Sequence, residues 1–184
     1  MSRYAMVIDL QRCVGCSSCS ISCRNENKVP DGIYWSHKLT ETSGTFPNVR
    51  FHYIPTLCNH CKNPPCVRGC PTKAMHKLQN GITMHDPNKC IGCRYCMINC
   101  PYGVIYFNWS DPHKFWRDKK VLMQGGSSSP ADETSKVGGK VIPYYNPERE
   151  DTLAGIRPKG IVEKCTFCDH RLKKGKLPKC VERG

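Results

Sequence analysis

All 15 cysteines of this 184-residue chain fall into four groups with metal-ligand spacing, and none is left over. Cys90, Cys93, Cys96 and Cys100, followed by Pro101, read C-x2-C-x2-C-x3-C-P. That run holds a cubane iron–sulfur cluster: three closely spaced thiolates take three corners of one cube, and the fourth cysteine ligates a different cluster. The run therefore predicts a partner run. Cys58, Cys61, Cys66 and Cys70, followed by Pro71, supply one as C-x2-C-x4-C-x3-C-P. The same pattern opens the chain at Cys13, Cys16, Cys19 and Cys23, and Cys165, Cys168 and Cys180 close it. The chemistry such a set carries is one-electron transfer by four 4Fe-4S clusters.

Other uses of cysteine fit less well. A disulfide scaffold is at odds with the odd count, with the absence of an apolar leader after Met1-Ser2-Arg3-Tyr4, and with three sulfurs packed too tightly for ordinary bridges. Zinc suits Cys165 and Cys168 taken alone, but structural zinc takes four ligands, usually as two C-x2-C pairs. No C-x-x-C-H occurs, so no c-type haem is expected.

The formal charge is +13, from 28 basic and 15 acidic residues. Thiolates and cluster cores together would bring the loaded protein to about +6, so much of the basic excess neutralises clusters. What remains suits an acidic protein partner. No aromatic–basic module points to nucleic acid. No apolar run approaches the roughly 20 residues that cross a bilayer. No Ser/His/Asp set, paired-carboxylate site or phosphate loop is visible, so the chain has no catalytic site of its own. A chain this short, divided by four cysteine groups, cannot build one large core; metal cross-links replace part of it, and the apoprotein is expected to be largely unfolded.

The elements that must position these ligands are short. Tyr4–Leu10 reads as a strand leading into the first cysteine loop. Gly15 and Gly92 occupy equivalent places in the first and third loops, where glycine lets the backbone approach sulfide and aim its N–H groups at the cluster. Ser17–Asn25 reads as a short helix. Residues 26–57 form a connection with a strand at Arg50–Ile54, broken by Pro55. Trp35 and Tyr53 read as packing around clusters, not as electron relays. Pro71–Met75 reads as a helical turn. Asn80-Gly81 marks a hairpin with Ile82–His85 as its returning strand. Val104–Asn108 reads as a strand, and residues 58–109 thus repeat one plan of loop, turn and hairpin with an offset of 32 residues. Residues 110–160 hold no cysteine; Gly125–Pro130 and Gly138-Gly139 mark loop, read as a partner-contacting arm. Asp169, His170 and Arg171 begin a short helix ended by Gly175, with His170 read as a surface or hydrogen-bonding residue and not a ligand.

The chain resembles the four-cluster iron–sulfur subunit of molybdopterin oxidoreductases of the dimethyl-sulfoxide-reductase family. The resemblance spans nearly the whole length and rests on the four cysteine groups in order. Finer features add to it: Met6–Leu10, Asp31–His37, Thr45–Asn48, Pro55–His60, Pro101–Val104, Arg157-Pro158 and Glu163–Leu172. These are most similar to the small subunit of respiratory arsenate reductase, with polysulfide, thiosulfate and tetrathionate reductase subunits next. It implies an α+β, loop-rich fold of two pseudo-symmetric bacterial-ferredoxin-like units with short hairpins and short helices. Residues 1–57 would be the first half of an outer unit and 58–109 an inner two-cluster unit. Residues 110–160 would be an insertion, and 161–184 the closing group of the outer unit.

The resemblance also implies a crossed ligand assignment. Cys58, Cys61, Cys66 and Cys100 would hold one cluster, and Cys70, Cys90, Cys93 and Cys96 the next. Cys23, Cys165, Cys168 and Cys180 would hold a third. Cys13, Cys16 and Cys19 would hold a fourth, whose last ligand the family places where Gly184 stands. Three explanations stay open: a ligand beyond residue 184, which is favoured, a 3Fe-4S cluster, or a fourth ligand from a partner, water or hydroxide. The implied function is electron relay to or from a large molybdopterin catalytic subunit of an anaerobic respiratory reductase. A quinol-oxidising membrane anchor or a cytochrome would be a further partner. The alternatives are a stand-alone polyferredoxin and the electron-transfer subunit of a formate dehydrogenase or hydrogenase. The expected location is periplasmic, exported folded on its partner's signal, with cytoplasmic as the alternative.

Overall fold

A computed structural model of the chain describes residues 3–30, 32–112 and 157–183. The predicted flexible stretches at Gly125–Pro130 and Gly138-Gly139, most of the 110–160 insertion, and Gly184 lie outside the described residues.

The described elements are short and mixed. In chain order they are α1 (Ser18–Asn27), β1 (Ser36–Thr45), β2 (Asn48–Leu57), α2 (Pro65–Arg68), β3 (Met75–Lys77) and β4 (Thr83–His85). Then follow α3 (Tyr95–Ile98), β5 (Ile105–Phe107), β6 (Val162–Lys164), α4 (Asp169–Leu172) and α5 (Lys179–Arg183). The strands form three two-stranded antiparallel sheets, β1–β2, β3–β4 and β5–β6. Among the described residues no helix is long and apolar enough to cross a membrane.

Among the described residues, cysteines and apolar side chains share two of three small cores. Cys66, Cys96, Met75, Ile105 and Val162 form one. Cys23, Cys165, Val29 and Trp35 form another, and Ile82, Met84 and Phe167 a third. Apolar residues therefore shield sulfur from water instead of meeting in one interior.

The helix expected over Ser17–Asn25 is α1, which stops where Lys28 turns left-handed at φ 48°. The Asn-Gly hairpin is β3–β4, and the strand expected after Cys100 is β5. The strand pairing β5 comes from the closing segment, with Ile105 opposite Lys164 and Phe107 opposite Val162. Local sequence cannot announce a pairing across such a separation.

Three expectations are corrected. Tyr4–Leu10 is not a strand: Tyr4 N–H reaches Asn80 O at 3.4 Å, but among the described residues no sheet edge receives the segment, and Val7 is 94% exposed. Pro55 does not end its strand. It pairs opposite Lys38 inside β2, where a two-stranded ribbon leaves an outward edge that needs no N–H donor. Pro71–Met75 is not a helical turn, because Lys73 is left-handed at φ 56° and the chain runs directly into β3. The helix lies earlier, with Pro65 in its first turn. The connection 26–57 also contains β1, whose run Thr40-Glu41-Thr42-Ser43-Gly44 has no apolar alternation. It is a strand because β2 lies beside it along its whole length.

Candidate metal centre

Each C-x2-C loop uses the same backbone device. The residue before the second cysteine is left-handed in all four: Gly15 at φ 70°, His60 at 43°, Gly92 at 70° and Phe167 at 57°. A residue in that conformation turns the loop sharply enough for successive N–H groups to face the enclosed space. In the first and third loops the match extends two residues on, to Ser17 at φ 63° and Arg94 at φ 62°. Two of these glycines also have no room for a side chain. A Cβ on Gly92 would stand 2.0 Å from Gly160 O, and one on Gly15 would stand 2.6 Å from the Tyr53 ring. Lys38 lies over that ring and donates to Gly15 O, so the β1–β2 hairpin braces the first loop.

The loops bring the cysteines together across groups. Cys58, Cys61, Cys66 and Cys100 line one small pocket with Val104 and Ile105. Cys70, Cys90, Cys93 and Cys96 line another with Met75 and Val162. In each, the last cysteine of one run joins the first three of the other. Burial pushes the Cys66 thiol up to about 11, and the neighbouring Cys58, Cys100 and Cys61 add to it against the opposing charge of Lys164. Burial pushes Cys96 up to about 12, with Cys90, Cys66, Cys70 and Cys93 adding.

The third gathering joins the two ends of the described chain. Burial raises the Cys23 thiol well above its ordinary value, and Cys165, Cys168 and Cys180 raise it further. The Asn27 amide donates to Cys23 Sγ at 3.6 Å and to Cys168 Sγ at 3.9 Å. Cys180 is pushed to about 11 by burial, then by Cys168 and Cys19. Cys13 and Cys16 lie on the loop entering α1, with Cys16 exposed. Ser18 Oγ donates to Arg183 O at 2.9 Å, so α5 ends against that loop.

Backbone N–H groups already point at sulfur. Met75 N–H donates to Cys70 Sγ at 3.4 Å and Phe167 N–H to Cys165 Sγ at 3.3 Å. Burial pushes the Cys70 thiol up, but hydrogen bonds from Met75 and Thr72 bring it below its ordinary value. Such bonds favour a charged sulfur, as a ligating thiolate is.

The donor set fits an iron–sulfur cluster. All 15 cysteines are free thiols. Structural zinc would need four thiolates about 2.3 Å from one shared centre. The thiols instead surround small apolar pockets. Burial raises several of these thiols, and iron would bind them as thiolates, which would couple metal binding to folding.

The structure adds residues to which sequence reasoning gives no role. Glu163, fully buried, accepts from Trp35 Nε1 at 3.0 Å, Asn108 Nδ2 at 3.0 Å and Arg157 Nε at 2.7 Å. Arg157 also donates to Lys28 O at 2.7 Å. Lys164 is 2% exposed and reaches Cys58 Sγ at 3.7 Å. His60 accepts from Thr83 N–H at 3.0 Å; burial, then Lys164, holds its imidazole down at about 2. The one sequence signal was two adjacent charges, Glu163 and Lys164, in an otherwise apolar approach to a C-x2-C. Trp35 is 2% exposed beside Cys23 and Cys165, as packing requires. His170 pairs with Glu26 at 2.6 Å.

Comparison with known proteins agrees with this chemistry. A family described as a 4Fe-4S dicluster domain matches residues 49–117. The chain is 54% identical over 180 residues to the arsenate respiratory reductase iron–sulfur subunit of Shewanella sp. (strain ANA-3), covering 98% of this chain and 77% of that one. It is 41% identical to a selenate reductase subunit of Mesobacillus selenatarsenatis, covering 97% and 56%. It is 35% identical to a tetrathionate reductase subunit of Salmonella typhimurium, covering 98% and 54%. The chain thus spans about half the length of these last two relatives. With four cysteine loops folded alike and nearly its whole length aligned with such subunits, the chain belongs to the family of iron–sulfur subunits of dimethyl-sulfoxide-reductase-type respiratory reductases.

Proposed function

We propose that this chain is the electron-transfer subunit of an anaerobic respiratory reductase of the arsenate type. It would relay electrons through four clusters to or from a large molybdopterin-containing subunit. The observation that carries the reading is the crossed gathering of Cys58, Cys61, Cys66 and Cys100 beside Cys70, Cys90, Cys93 and Cys96.

Those two sets would hold two clusters, and Cys23, Cys165, Cys168 and Cys180 a third. Cys13, Cys16 and Cys19 would hold a fourth. The clusters, when bound, supply one-electron transfer at potentials within about −700 to +450 mV. The chain's own residues space and tune them. Met75, Ile105 and Val162 keep water from two of the sites, and the Met75 and Phe167 N–H groups stabilise charge on sulfur. The matching dihedrals of the first and third loops support two pseudo-symmetric ferredoxin-like units.

The arsenate assignment rests on the 54% identity to a subunit of that name. A quinol-oxidising anchor or cytochrome would complete the route, and the complex would work in the periplasm after export in folded form. Anaerobic purification from the native host tests this. A large molybdenum-containing chain should co-purify, and arsenate should reoxidise the reduced complex. A chain isolated alone, without a molybdenum partner, would contradict it.

A further inference from the structure

Lys164 ends β6 immediately before Cys165, and its side chain is buried. Its ammonium donates to Cys165 O at 2.8 Å, to Thr83 O, and to Cys58 Sγ at 3.7 Å. An ammonium has three donors and no acceptor, so three acceptors satisfy it completely. They come from three places: β6's own end, strand β4, and the loop of the second cysteine group.

Among the described residues no carboxylate pairs with this cation. The adjacent Glu163 points to the other face of β6 and is committed to Arg157, Trp35 and Asn108. A buried cation without a counter-charge is strongly unfavourable. Thiolates bound to a cluster supply one, because four of them outweigh a core of about +2. One such sulfur, that of Cys58, accepts from Lys164 at 3.7 Å. The charge of Lys164 is also felt at Cys66, in the same gathering, and at Cys165, in the adjoining one.

We propose that Lys164 is a tuning residue, whose fixed buried charge and N–H···S bond raise the reduction potential of the cluster held by Cys58, Cys61, Cys66 and Cys100. Reduction adds negative charge to the cluster, and a cation at the sulfur favours that state. The effect falls mainly on the Cys58 site, less on the Cys165 site. The inference rests on the iron–sulfur reading and deepens it.

The test uses the anaerobically purified complex, whose wild-type iron content is measured first. Absence of iron there would remove the underlying reading itself, before any variant is made. K164M and K164R are then titrated by EPR-monitored redox titration, with the Cys58-site signal identified as the one that C61S abolishes. K164M should lower that midpoint and leave the signal of the Cys70, Cys90, Cys93 and Cys96 site in place. K164R, which keeps the charge, should stay near wild type. Full iron with unmoved midpoints in K164M, or equal shifts in K164M and K164R, would overturn the proposal. If K164M does not retain iron, wild-type protein carrying 15Nζ-lysine decides it by pulsed EPR. A 15N coupling on the Cys58-site signal, lost in K164R, supports the role; no coupling in the wild type overturns it.

Discussion

The Trp35 indole donates to Glu163 at 3.0 Å, joining two residues 128 positions apart in the chain. Arg157 lies over the same indole at 4.8 Å and bonds the same carboxylate. This buried trio ties the segment after α1 to strand β6, and through β6 to β5. It sits beside Cys23 and Cys165, so it fixes the distance between the opening and closing cysteine groups.

Removing one member should therefore loosen the assembly. Glu163→Ala leaves the buried Arg157 guanidinium without its carboxylate and should cost about 3–5 kcal/mol. Glu163→Gln keeps the shape and one acceptor, and should cost about 1.5–3 kcal/mol, the worth of a hydrogen bond to a charged group. Unfolding midpoints and retained iron should rank wild type, then E163Q, then E163A. Equal midpoints for E163A and wild type would contradict the account.

Equivalent glycines should not be equally tolerant. Gly15→Ala and Gly92→Ala both place a Cβ on a left-handed residue, at roughly 1–2 kcal/mol. At Gly15 the obstacle is the ring of Tyr53, half-buried and able to shift. At Gly92 it is the backbone carbonyl of Gly160 at 2.0 Å, held by the bond from Gly160 N to Asn108 O. G92A should lose more iron on gel filtration than G15A. The reverse order would count against the described loop packing.

The crossing of ligands can be read from paired substitutions. Cys70→Ser and Cys93→Ser should alter the same EPR signal, although Cys70 belongs to the other run in sequence. Cys61→Ser and Cys100→Ser should alter a second, shared signal. If C70S instead matched C61S, each run would hold its own cluster and the crossed assignment would fail.

The Glu26 carboxylate gives a dependence on pH. Burial pushes its carboxyl up, but the hydrogen bond and charge of His170, then Arg171 and Lys179, bring it below the ordinary glutamate value. A depressed carboxyl contributes stability above its unfolded value and loses it as pH falls through the lower folded value. Glu26→Gln should thus be less stable than wild type at neutral pH by about 1.5–3 kcal/mol. The gap should close on the acid side, as both proteins are followed by unfolding midpoint down to about pH 3. A gap that widens with acid would contradict the sign.

Cysteine spacing made the metal chemistry legible in the sequence, because ligand geometry is encoded in intervals of two, three and four residues. The Asn80-Gly81 hairpin and helix α1 were legible for similarly local reasons. What stayed hidden was set by distant partners. The polar run Thr40–Gly44 is a strand only because β2 lies beside it. Lys164 and Glu163 look like surface charges until β5 and Trp35 bury them. His60 and Phe167 take the left-handed position that glycine marks in the other two loops, and nothing in their identity signals it.

The most direct test of the central claim is elemental. Iron, zinc and acid-labile sulfide should be measured per chain in anaerobically prepared complex, after subtracting its partner's share. About fifteen or sixteen irons with matching sulfide is the result expected of four clusters on these thiols. Stoichiometric zinc, or thiols recovered as paired half-cystines, would contradict it.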